Sequence, residues 1–88
     1  MNDRSSVSID LDKDEALVLF DLLAREVDDR DGAALRPAVE HDGELWALNA
    51  LHTALERTLT GPFDAAYKEH VGSARAALVV RAGGLWRS

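Results

Sequence analysis

The chain has no cysteine, two prolines, one methionine and five aromatic side chains in 88 residues. Each scarcity excludes something. Without cysteine there is no disulfide staple and no thiolate metal site, a usage that fits a reducing compartment. Long apolar runs are missing too. The longest, five residues as in ALVLF at 16–20, fall far short of the roughly 20 residues that cross a bilayer. The opening MNDRSSVSID carries no apolar segment of the secretory kind, so the expectation is a cytoplasmic protein with no membrane partner. Basic residues are outnumbered, ten against sixteen acids, and direct nucleic-acid binding needs a basic footprint instead. What is present is a hydrophobic fraction of 47%, enough for a packed core and too much for a disordered segment. The length allows one domain. A domain this small buries a modest share of its surface, and many such chains gain stability by oligomerising.

The acidic excess is uneven. Residues 1–31 hold ten acids and four bases, residues 32–63 hold four and two, and residues 64–88 reverse the sign with two and four. A solvated acidic face keeps a small protein soluble, which is the plainest reading. The functional reading is charge complementarity to a basic protein. Its candidate residues are Asp21, Glu26, Asp28, Asp29 and Asp31, clustered toward the end of the first helix.

Hydrophobic spacing divides the chain into one strand and three helices. Val7, Ile9 and Leu11 alternate with polar residues, the pattern of a half-buried strand. Asp12 then opens DKDE, with Glu15 three residues on, a capping-box arrangement whose acids complement the positive end of a helix dipole. The first helix is expected over 13–28. Its apolar set, Ala16, Leu17, Leu19, Phe20, Leu22, Leu23 and Val27, is wider than one stripe and predicts burial on two sides. Gly32, Pro37 and Gly43 punctuate the connection. The second helix is expected over 42–59, with Leu45, Leu48, Leu51 or His52, Leu55 and Leu59 on one face and Trp46 beside them, in the core or at an interface, with the core favoured. Gly61 and Pro62 end it. Asp64 is the expected cap of a third helix over 65–81, where Tyr67, Val71, Ala74 and Leu78 share a face. The fold class is therefore mostly α: a three-helix domain preceded by one short N-terminal β-strand. Residues 1–6 are expected to fray, 7–80 to form the core and 81–88 to be a flexible tail, with Trp86 either loose, folded back or on a partner.

Several motifs tempt and fail. Asp10, Asp12 and Asp14 match the first, third and fifth positions of a calcium loop, but that loop needs Gly at the sixth and a Glu at the twelfth. Here those are Glu15 and Asp21. The tripeptide Glu15–Leu17 spells the name of a phosphodiesterase barrel, a fold of about 250 residues. His41, His52 and His70 have no metal-ligand spacing, and His52 on an apolar stripe reads as a core histidine. No nucleophile–base pairing follows from spacing. A paired-carboxylate site would need Glu44, Glu56 or Asp21 to converge in a cleft. The expectation is no enzyme, no metal and no cofactor.

DEALVLFDLLAR at Asp14–Arg25, the Leu45–Trp46 pair, Leu55–Arg57 and the Pro62–Tyr67 opening of the last helix together resemble a family of short bacterial proteins to which no activity is attached. The resemblance covers roughly residues 7–80, and the tail after Leu78 departs from it. It implies a compact helical fold and brings no catalytic residue.

A lone strand exposes unpaired backbone groups and is unstable by itself. Three partners are open to it: residues 78–82, a second copy through Val7, Ile9 and Leu11, or the helices alone. The second copy is favoured, because the strand is self-complementary and the domain is small. The functional expectation is a small acidic, non-catalytic protein-binding module, of the inhibitor or immunity type, acting on a basic partner. The alternatives are a structural or regulatory homodimer and, behind it, an enzyme or metal protein.

Overall fold

In the computed structural model the described residues are 5–59 and 65–87. Three α-helices dominate: α1 at Lys13–Leu23, α2 at Asp42–Thr58 and α3 at Tyr67–Ala82. A π-helical turn, Ala24–Asp29, prolongs α1, and a short 3-10 turn at Ala33–Leu35 follows. Among the described residues there is no strand. Asp64, the expected cap of α3, and the Gly61–Pro62 stop lie outside them.

The capping box at the start of α1 forms as the sequence implies. The Glu15 backbone N–H donates to Asp12 Oδ1 at 2.9 Å, and the Asp12 N–H donates back to Glu15 Oε1 at 3.0 Å. At the start of α2 the capping acceptor is His41, whose Nδ1 takes the Gly43 N–H at 2.8 Å. α3 ends in a Schellman turn: Gly83 at φ +91 turns left-handed, its N–H reaches the Val80 carbonyl, and the Gly84 N–H reaches that of Val79.

α1 is the central element. Both α2 and α3 pack on it, and among the described residues they do not pack on each other. This is the two-sided burial that the wide apolar set of α1 predicts. On the α2 side, Ala16, Phe20 and Leu23 meet Leu55, with Leu19, Val27, Leu48, Leu51 and Leu59 around them. His52 is buried and stacks on Phe20, ring centroids 5.2 Å apart and planes 16° from parallel. On the α3 side Val71 and Ala74 are buried. α3 runs antiparallel to α1, which ion pairs fix at both ends: Arg75 reaches Asp21 at 2.9 Å, and Arg81 reaches Asp12 at 2.7 Å.

Three expectations need correction. Residues 78–82 cannot pair with the N-terminal segment as a strand, because they are the last turns of α3. Val7, Ile9 and Leu11 form no strand and are exposed; nothing among the described residues supplies the missing hydrogen-bond partner. Trp46 is not in the core and is 71% exposed. It lies nine residues from Leu55, or about 180° around the helix, on the face opposite the buried stripe. α3 itself continues to Ala82.

Candidate acidic binding face

The five acids singled out by sequence divide into two groups. Asp21 is turned into the structure. Its Oδ1 accepts the Tyr67 hydroxyl at 2.7 Å, and its Oδ2 accepts Arg25 Nη1 at 2.8 Å and Arg75 Nη2 at 2.9 Å. Two guanidinium groups and a phenol therefore occupy a carboxylate that joins α1 to α3. Desolvation first, and then the hydrogen bond to Asp21, push the Tyr67 hydroxyl well above the ordinary phenol range. Glu26 is also drawn inward. Its Oε2 accepts Arg25 Nε at 3.2 Å and Arg30 Nη1 at 3.0 Å, while Oε1 is buried without a hydrogen-bond partner among the described residues.

The π-helical turn is what separates these two from their neighbours. Its wider winding carries Glu26 toward the protein and releases Asp28 and Asp29 to solvent. The Gly32 N–H closes the turn on the Glu26 carbonyl at 2.8 Å. Gly32 has φ +73, and a Cβ there would come within 3.3 Å of the Leu45 side chain, so glycine serves both the turn and the approach to α2. Asp28, Asp29 and Asp31 are left exposed, with no ion pair among the described residues.

Two concavities adjoin this acidic turn. Because α2 and α3 stand apart, a groove of about 670 Å³ opens along α1 between them, with Phe20 and His52 in its lining, Asp28, Asp29 and Glu56 supplying carboxylates, and Arg25 and Lys68 supplying cations. On the far side, a hollow of about 300 Å³ is lined by Val27, Asp28, Asp31, Leu45 and Trp46. Asp28 borders both. An exposed indole face next to free carboxylates is suited to an alkylammonium or guanidinium group, which both attract.

The calcium-like acids do other work. Asp12 caps α1, and Arg81 faces Asp12 at 2.7 Å and Asp14 and Glu15 at 3.9 Å. The Glu15 N–H, opposed by slight desolvation and assisted by Arg81, holds the Asp12 carboxyl below its usual range. Among the described residues no three His, Asp or Glu side chains converge as a metal site would require, and no helix is long and apolar enough to cross a membrane. The i,i+4 spacing of Asp21 with Arg25 and of Glu26 with Arg30 was a local signal that could have shown these pairs, whereas the Tyr67 and Arg75 contacts of Asp21 carry none. Comparison with protein-family models, curated proteins and solved structures returns no match.

Proposed function

We propose that the chain is a non-catalytic protein-binding module that takes a basic segment of a partner across the acidic turn at the end of α1. The observation that carries this reading is that Asp28, Asp29 and Asp31 are exposed with no counter-ion among the described residues, while the neighbouring Asp21 and Glu26 are neutralised internally. Unpaired carboxylates beside a partly apolar groove and an exposed Trp46 offer a basic side chain both charge and contact area. An inhibitor or immunity-type role, in which the module covers a basic active-site rim, is the functional form of this reading. The test is a panel of Lys- and Arg-rich peptides against the wild type and a variant carrying Asp28→Asn, Asp29→Asn and Asp31→Asn. A subset of peptides is expected to bind, to weaken at least tenfold from low to high salt, and to lose binding to the variant. Equal binding by both proteins, or none by either, ends this reading.

A second reading, a homodimer joined through its N-terminal segment, is favoured by exposed surface. The accessible area is 6858 Å², whereas a monomer of 9.6 kDa ordinarily exposes about 5,100 Å². The radius of gyration, 14.7 Å, likewise exceeds the roughly 12 Å of a compact chain of this length. The two readings use different faces and are compatible.

A further inference from the structure

The large apolar side chains left in water are not scattered. Among the described residues, Trp46 and Leu22 apart, they are Val7, Ile9, Leu11, Val79, Val80, Leu85 and Trp86. The Arg81–Asp12 ion pair brings the last turn of α3 beside the residue that follows Leu11, so the exposed runs 7–11 and 79–86 leave from neighbouring points. Val7 is 88% exposed and Trp86 83%. Residues 5–12 have no regular structure of their own, carry no proline, and precede the helix cap with extended backbone at Asp12. That is an unprotected strand edge next to an uncovered apolar end.

We infer that a second copy of this chain covers that end, and that the two N-terminal segments pair antiparallel about a twofold axis through Ile9. This rests on the homodimer reading and specifies its geometry. Directly opposed residues in an antiparallel pair point to the same face, so the register must match apolar with apolar. Centring on Ile9 opposes Ile9 to its own copy and Val7 to Leu11 of the partner, while Asp10 meets Ser8. Centring on Asp10 brings two carboxylates together, an unfavourable like-charge pair. Centring on Ser8 opposes Leu11 to Ser5. A one-residue slip to an odd register sets Ile9 against Asp10. Only the Ile9 register joins all three apolar residues on one face, and that face then lies over Val79, Val80, Leu85 and Trp86. The chain as a whole exposes about 1,800 Å² more than a compact monomer of its mass, which leaves room for a second copy to cover the roughly 800 Å² per partner that a stable interface buries.

The experiment is sedimentation equilibrium of the full chain, with helix content followed by circular dichroism. The wild type is expected at twice the 9.6 kDa chain mass. Ile9→Lys places two ammonium groups opposite each other and is expected to be monomeric, as is Ile9→Glu. Mixed in equal amounts, the two are expected to recover a dimer, because only self-opposition at position 9 makes the charges complementary across the axis. Val80→Asp is expected to weaken the wild-type dimer at least tenfold. A monomeric wild type overturns both this geometry and the homodimer reading. A dimeric wild type whose Ile9→Lys variant stays dimeric, whose mixed variants fail to pair, or whose Val80→Asp variant dimerises unchanged, overturns the geometry alone.

Discussion

The Tyr67 hydroxyl donates to a carboxylate that two arginines already hold, so it completes a four-residue knot between α1 and α3. Removing it by Tyr67→Phe leaves Asp21 its charged partners and loses one hydrogen bond to an ionised group, worth about 1.5–3 kcal/mol when desolvated and less at this half-buried site. The expected loss is about 1 kcal/mol, read from urea denaturation. The variant also has a pH signature. The folded state holds the Tyr67 proton more tightly than the unfolded chain, where the phenol titrates near 10.0. That contribution is whole below this pH and is lost progressively above it. The wild type should therefore lose stability in alkali more steeply than Tyr67→Phe; parallel profiles would show that the phenol is not coupled to folding. Asp12 works in the opposite sense. Its carboxyl is held below the ordinary 3.8, so its contribution is present above that value and disappears as the pH falls through the lowered one. Asp12→Asn should flatten the acid limb of helix content followed by circular dichroism. The Asp12 role was readable, because both partners of a capping box lie within four residues. That of Asp21 was not, because Tyr67 and Arg75 stand 46 and 54 residues away.

At the scale of elements, the helices were legible to within a residue or two where a local signal marks the boundary. Asp12 with Glu15 fixes the start of α1, and the apolar spacing of α2 and α3 gives their buried faces. The π-helical turn was not legible, since AREVDD has ordinary helix-forming residues and the wider winding arises where the chain must close on Gly32. Trp46 was misplaced because it neighbours the stripe in sequence and lies opposite it in space. The strand pattern at 7–11 is real as a pattern, but strand structure needs a second backbone, and none of the described residues supplies one. Two glycines of α3 give a paired test. Gly72 is helical and a Cβ there meets nothing within 4 Å, so Gly72→Ala should stabilise the chain by about 0.5–1 kcal/mol. Gly83 also has open space but a φ of +91, so Gly83→Ala should cost about 1 kcal/mol or more from the left-handed backbone alone. Thermal denaturation of the two single variants should move in opposite directions. A shift of the same sign in both would mean that the Schellman turn does not end α3 in solution.

For the whole molecule the governing fact is a thin core. Among the described residues six apolar side chains and His52 are buried, and none is less than 2% exposed. Phe20 is the largest of the buried apolar side chains and also floors the groove, so Phe20→Ala, at about 3–5 kcal/mol for a buried aromatic, should leave little or no folded monomer. A chain so lightly buried draws its remaining stability from whatever covers its exposed end. If that is a second copy, folding and assembly are one equilibrium, and the melting temperature depends on protein concentration. A hundredfold increase then adds about 2.7 kcal/mol per dimer by mass action. Spread over the two chains, this raises the midpoint by about 5–10 °C. The Ile9→Lys variant, lacking the partner, should melt lower and at a temperature independent of concentration. A wild-type midpoint that stays fixed over the same range would mean that the monomer folds unaided, and that its seven uncovered apolar side chains await a different protein.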